Sequence, residues 1–179
     1  SVIHSNSNLG PVAQIWRGSA TRTSFESGTL DAVITDPPYY DNVGYSDLSD
    51  FFYVWLKRCI GFLYAEHFSA FLAPKKQEVI MDAGRHKRDQ EAARAFYEQM
   101  MAQTFAEAGR VLKPGAPLVI VYAHKTTLGW AILVDALREA SFTVTEAWPL
   151  DTEMGARLRA VDSAALASSI FLVARRREG

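Results

Sequence analysis

The chain has 179 residues, 49% of them hydrophobic and 22% charged, and its 19 lysines and arginines against 20 acidic residues leave a formal net charge of -1. That balance excludes a disordered tail, a collagen-like fibre and a strongly basic nucleic-acid wrapper. A chain of this length buries about 70% of the surface its unfolded form exposes, so one self-sufficient core is expected. The single cysteine, Cys59, cannot form an internal disulfide or a cysteine-rich zinc site, which points to a cytoplasmic setting. No apolar run reaches the roughly 20 residues of a membrane span, and the polar residues 1–8 do not form a signal peptide. The chain opens on Ser1 with no methionine, which reads as a trimmed chain or a piece of something longer.

In chain order, residues 12–16 form a short apolar run closed by Arg17-Gly18-Ser19 and predict a first strand. A second strand is predicted over residues 30–35, ending at Asp36-Pro37-Pro38 because proline has no N–H to give to a sheet. From Ser46 the period becomes helical, with Leu48, Phe51, Phe52, Trp55, Leu56 and Cys59 on one continuous apolar face expected to pack on the sheet. Ser46 is read as the N-cap, with Asp47 and Asp50 suiting the positive end of the helix dipole and Lys57 and Arg58 the negative end. Residues 73–90, with Pro74, Gly84 and a concentration of charge, read as a surface excursion.

A long helix follows, with Phe96, Tyr97, Met100, Met101, Thr104, Phe105, Ala108, Val111 and Leu112 on its apolar side, stopped by Lys113-Pro114-Gly115. Residues 118–122 are an unbroken apolar run, as in a strand covered on both faces. A helix over residues 127–140 turns Trp130, Leu133, Val134 and Leu137 to one side, and residues 142–148 alternate as a strand near a sheet edge. Residues 169–174 make a last strand before Arg175-Arg176-Arg177. Alternating strands and helices predict an α/β fold: an incomplete, mostly parallel sheet of about five strands with helices on both faces. Such sheets bind ligands beyond the carboxyl ends of their strands. Three turns fall there: Gly18-Ser19-Ala20, Asp36-Pro37-Pro38-Tyr39 and Ala123-His124-Lys125.

Asp36-Pro37-Pro38-Tyr39 is the most specific of the three. An acidic residue or Asn, two prolines and an aromatic in that order arise by chance in roughly one chain of this length in a few hundred. The arrangement suits an exocyclic amine on a nucleobase, whose nitrogen lone pair is delocalised into the ring. Acceptors on the two amine hydrogens draw the nitrogen toward tetrahedral geometry and free that lone pair. Asp36 can supply a carboxylate oxygen and Pro37 its carbonyl. The prolines fix both acceptors before substrate arrives. Tyr39 offers a face for an unstacked base, with stacking worth about 1–3 kcal/mol. Tyr40 and Tyr45 are secondary candidates, equally readable as ordinary loop aromatics.

Asp-Pro-Pro-Tyr after an apolar strand resembles the motif of amino-group methyltransferases, which transfer a methyl from S-adenosyl-L-methionine to N6 of adenine or N4 of cytosine. The longer run through residues 31–43 and on to Phe51-Phe52 is similar to the large adenine-specific DNA methylases that carry a zinc ribbon and a domain of unknown function. Arg110-Val111-Leu112-Lys113-Pro114-Gly115 resembles the turn that leads into the fifth strand of Rossmann-like class I methyltransferases. The resemblance spans residues 12–177. It implies a base held by Asp36, the Pro37 carbonyl, Pro38 and Tyr39, with Tyr40, Asn42, Tyr45, His124, Lys125 and Glu153 as further substrate candidates. Gly18, Ser19 and Ala20 match the turn after the third strand that approaches the methyl donor, although Ser19 stands where the family commonly has an acidic residue.

Two family features are missing. No two glycines are separated by a single residue, so the donor-binding Gly-x-Gly turn is absent, and one cysteine cannot build a zinc ribbon. No metal site is expected, since His4, His67 and His86 lack ligand spacing. Candidates exist for strands three to seven of the family sheet and none for the first two. The expectation is therefore one partial catalytic domain over residues 1–179, the target-base half of a DNA adenine methyltransferase. The remainder of a longer polypeptide would supply the missing strands and donor turn. Arg85-His86-Lys87-Arg88, Arg157 with Arg159, and Arg175-Arg176-Arg177 are possible phosphate contacts, each more simply read as solvated charge. The alternative function is a non-catalytic nucleic-acid-binding or assembly module.

Overall fold

The computed structural model describes residues 13–41, 43–150 and 169–177. Its elements run β1 (Val33–Thr35), α1 (Tyr45–Ile60), a 3-10 turn (Ala83–His86), α2 (Gln90–Val111), β2 (Leu118–Tyr122), α3 (Thr127–Glu139), β3 (Phe142–Leu150) and β4 (Ser169–Arg176). The strands form one sheet in the order β1-β2-β4-β3. β1 pairs parallel with β2, while β4 lies antiparallel between β2 and β3.

The sheet is mixed, with four strands among the described residues where about five, mostly parallel, were expected. Residues 13–16 take no regular structure, and Ile15 and Trp16 are exposed. Val12 lies outside the described residues. An apolar run this short forms a strand only when it pairs with an edge, and among the described residues it pairs with none. β1 is cut to three residues by Pro37-Pro38, as proline requires. Its outer edge has no neighbour among the described residues, and Ile34 is 74% exposed there.

Both α2 and α3 pack on the same face of the sheet, not on opposite faces. Leu118, Ile120 and Tyr122 of β2 point into one core with Tyr97, Met101 and Phe105 of α2, Ile132, Leu133 and Leu137 of α3, and Leu172 and Ala174 of β4. Val119 and Val121, on the other face of β2, are only half-buried. Register fixes this division, because Leu118 faces Ala174 and Ile120 faces Leu172 across the antiparallel pair. Within α3 the apolar side is Ile132, Leu133, Ala136 and Leu137, whereas Val134 turns outward. β3 is an edge strand bulged between Val144 and Glu146, and Pro149 sits in it where a missing N–H is tolerated.

Caps explain the helix limits. Asp89 accepts from Ala92 N at the start of α2, and Thr126 accepts from Gly129 N at the start of α3. The last carbonyls of α2, Arg110 and Val111, accept from the N–H groups of Gly28, Thr29 and Leu30, which lead into β1. Lys113-Pro114-Gly115 then turns the chain with Gly115 at φ +72°.

α1 departs from expectation in two ways. Its N-cap is Gly44, and Ser46 lies inside the first turn because its N–H and hydroxyl are given to Glu78. Its apolar stripe does not pack on the sheet: Phe51 is 67% exposed, and Leu48, Phe52, Trp55 and Leu56 are exposed with it. The polar flank is what anchors the helix, through Asp47 to Arg85, Asp50 to Lys75 and the Ala73 N–H, and Tyr53 to the Ala70 carbonyl. Residues 73–90 are thus a surface excursion that is braced against α1 and contains a 3-10 turn. Among the described residues no helix is long and apolar enough to cross a membrane.

Candidate functional site

The parallel pair β1 and β2 ends at one side of the sheet, and there the chain brings Asp36-Pro37-Pro38-Tyr39 beside Tyr122 and His124. The backbone of the turn is pinned from below. Tyr97, projecting from α2, donates its hydroxyl to the Pro38 carbonyl at 2.7 Å and accepts the Tyr40 N–H at 3.1 Å. Burial raises the Tyr97 phenol pKa, so it stays a neutral donor at any ordinary pH. Pro37 is buried beneath the turn while Asp36 is exposed. No hydrogen bond or ion pair engages the Asp36 carboxylate among the described residues, which leaves its oxygens available to an incoming donor.

The two tyrosines take different environments. The Tyr39 ring meets Tyr122 edge-on at 5.3 Å and remains half-exposed. Tyr40 is 5% exposed, wedged edge-on against Tyr97 at 5.2 Å. Its φ of +29° is unusual for a residue with a side chain, a conformation costing on the order of 1–3 kcal/mol that the surroundings must hold. They do so from both sides of the peptide, since Met81 N donates to the Tyr40 carbonyl at 2.9 Å. Tyr40 is therefore buried at the pivot of the turn.

Beyond the pivot, the chain is held at α1. Glu78 accepts from the N–H and hydroxyl of Ser46 and pairs with Arg85, which also pairs with Asp47 and Asp82. Desolvation pushes the Glu78 pKa up, but the Ser46 and Arg85 hydrogen bonds outweigh it and hold the carboxyl below its ordinary value. Tyr45, the first residue of α1, is exposed. Its phenol pKa is raised by partial burial and then by the charges of Asp36 and Glu78, which puts it in the electrostatic reach of the turn.

His124 does not line the site as a surface group. Its side chain is 6% exposed, with Nε2 3.5 Å from Asp41 Oδ1, and its ring is stacked on Tyr122 and edge-on to Tyr40. Lys125 is exposed beside it. Gly18, Ser19 and Ala20 do not join this cluster. Ser19 bridges to Arg22 in a tight turn, and Ala20 lines an apolar cavity of about 150 Å³ beneath β1 with Val33, Thr35, Phe105 and Ala108. Asn42, Glu153, Arg157 and Arg159 lie outside the described residues.

Members of two of the basic clusters already have partners within the chain. Arg85 is committed to three carboxylates, and Arg175, Arg176 and Arg177 donate to the carbonyls of Gly115, Gly109 and Arg138. Sequence reasoning missed Asp41, Glu78, Tyr97, Tyr122 and Gly129 as parts of the site. Tyr97 and Tyr122 were visible as apolar positions, but periodicity reports burial and is blind to where a hydroxyl points.

The residues present do not fit a complete donor site for S-adenosyl-L-methionine. The sheet lacks a neighbour for β1 among the described residues, no Gly-x-Gly turn exists anywhere in the sequence, and the turn at Ser19 is occupied with its own bridge. Among the described residues, no group of three or more His, Cys, Asp or Glu is placed to hold a metal ion.

The fold and this end of the sheet define an α/β protein with a four-stranded mixed sheet among the described residues. No protein-family model and no curated protein matches the chain. Among solved structures it is similar to a candidate DNA modification methylase from Thermus thermophilus, with 19% identity and a TM-score of 0.48 over 90% of this chain and 53% of that one. The same methylase complexed with S-adenosyl-L-methionine gives 17% identity and a TM-score of 0.46, over 87% of this chain and 51% of that one. The cyclase SpnF gives 14% identity and a TM-score of 0.39, over 90% of this chain and 55% of that one. The chain spans about half the length of these structures. They are distant likenesses of fold and carry no residue of the site with them.

Proposed function

We propose that the chain is the target-base half of an amino-group methyltransferase acting on an exocyclic base amine, N6 of adenine in DNA. One observation carries the reading: the exposed Asp36 carboxylate follows β1 on a Pro-Pro backbone that Tyr97 holds through the Pro38 carbonyl. In this reading Asp36 accepts one amine hydrogen and the Pro37 carbonyl the other. The nitrogen lone pair is thereby released from the ring and directed away from the two acceptors, toward an electrophile. Tyr39, braced by Tyr122, supplies the stacking face. The acceptors cost little to organise when substrate arrives, because the prolines and Tyr97 have already fixed them.

S-adenosyl-L-methionine would be the source of the methyl group, bound by residues that these ones do not include. The remainder of a longer polypeptide, laid along the open edge of β1, is the proposed holder of the donor turn. In such a complete polypeptide, Asp36→Ala is expected to lower methyl-transfer turnover at least about 10²-fold, by analogy with loss of one preorganised polar partner. An unchanged rate would remove Asp36 from the mechanism. The missing donor turn also favours a second reading, a non-catalytic nucleic-acid-binding or assembly module. A complete polypeptide that binds single-stranded DNA but transfers no methyl group would decide for it.

A further inference from the structure

The end of β2 carries a buried histidine to which the base-holding chemistry assigns no task. The imidazole of His124 is held on every side. Its Nδ1 accepts the Thr126 N–H at 3.1 Å and lies 3.1 Å from the Thr126 hydroxyl, while its own carbonyl accepts Trp130 Nε1 at 3.0 Å. With Nδ1 used as an acceptor, the tautomer assigned from this network carries its proton on Nε2, toward Asp41. Tyr122 stacks on one face and the edge of Tyr40 meets the ring. The remaining side is the backbone of Gly129 in the first turn of α3. A Cβ built there would overlap Nδ1, Cγ and Cε1 of the ring.

We propose that His124 is a positioning residue, which holds the Tyr39-Tyr40-Asp41 limb of the turn against the end of β2 through Asp41 and Tyr40. Gly129 is glycine so that the imidazole fits. The proposal rests on the reading of the turn as a base site. His124 cannot touch a base itself, since its side chain is 6% exposed, but it contacts residues one and two positions beyond Tyr39. Gly129 has no positive φ to explain it, and alanine is the better helix former, so its place in the first turn of α3 does not by itself call for glycine. The ring is the feature of the surroundings that forbids a methyl group there.

The test combines amide hydrogen exchange with binding of an adenine-containing single-stranded oligonucleotide to the whole chain. Gly129→Ala should displace the ring, quicken exchange at the Tyr40 and Met81 amides by about tenfold or more, and weaken oligonucleotide binding by about tenfold. The amide of Phe105, in the middle of α2, should be unaffected. In a His124→Ala background the ring is gone, so adding Gly129→Ala should cost nothing further in either readout. Asp41→Ala changes an exposed side chain and leaves the core intact. It should loosen the same two amides, and Asp41→Asn, which keeps an oxygen in place, should loosen them less. Unchanged exchange in Gly129→Ala, or a double variant worse than His124→Ala alone, would overturn the role of His124. If the unaltered chain binds the oligonucleotide no better than one lacking exocyclic amines, the base-site reading falls instead, whatever the exchange shows.

Discussion

At the scale of single residues, the site depends on a few hydroxyl and backbone groups whose roles are set by burial. Tyr97 is 1% exposed and bridges the Tyr40 N–H to the Pro38 carbonyl. Replacing it with phenylalanine removes almost no volume but leaves a buried donor and acceptor unmatched, a loss worth about 1–3 kcal/mol. Tyr97→Phe is therefore expected to lower unfolding free energy by that amount in a denaturant titration and to quicken exchange at the Tyr40 amide. A stability within experimental error of the parent would show that water replaces the hydroxyl. Asp36-Pro37-Pro38-Tyr39 was legible in the sequence because its chemistry lies in residue identity and order. The Tyr97 bridge was not, because its partners are 57 and 59 positions away and an apolar stripe gives tyrosine and phenylalanine the same reading.

At the scale of elements, the carboxyl end of α2 is where the chain before β1 is fastened. Glu107 pairs with Arg110 and accepts both the N–H and the hydroxyl of Thr23 at 2.7 Å. The Arg110 hydrogen bond, opposed by desolvation and helped by the two from Thr23, holds the Glu107 carboxyl down to about 2. Its pKa is thus lower folded than unfolded. The stabilisation is present in full above about pH 4.5 and is lost as the pH falls toward about 2. Glu107→Gln should lower stability at pH 7 and flatten its fall between pH 4.5 and 2, as read from urea midpoints across that range. An acid limb as steep as the parent's would assign the acid sensitivity to other carboxylates.

The period of α1 was equally legible, and the helix forms where Leu48, Phe51, Phe52 and Trp55 predicted it. What periodicity cannot say is whether the apolar side finds a partner within the same chain. Here the polar flank does the anchoring, through Glu78, Arg85 and Lys75, so the stripe stays outside. The helices α2 and α3 had the same kind of signal and do find a partner, because β2 presents Leu118, Ile120 and Tyr122 to both.

At the scale of the whole molecule, the core is organised around β2 and one face of the sheet, while the outer edge of β1 and the stripe of α1 remain uncovered among the described residues. The turn that would hold a base lies at the carboxyl end of β1, so the chemistry sits beside the uncovered edge. The sequence implied α/β alternation correctly, but residues 13–16, which have the composition of a strand, pair with no strand among the described residues. It also implied helices on both faces, because β-branched runs such as Leu118-Val119-Ile120-Val121 look the same whether one face is covered or two.

In the proposed function, Asp36 and its turn recognise an exocyclic amine. That recognition is tested most directly by measuring, by fluorescence anisotropy, the affinity of the chain for two single-stranded oligonucleotides that differ only in adenine against unsubstituted purine. A hydrogen bond to a charged acceptor is worth about 1.5–3 kcal/mol, so the adenine strand should bind about 10- to 100-fold more tightly, and Asp36→Ala should erase the difference. Equal affinity for the two strands, or a preference for adenine that survives Asp36→Ala, would contradict it.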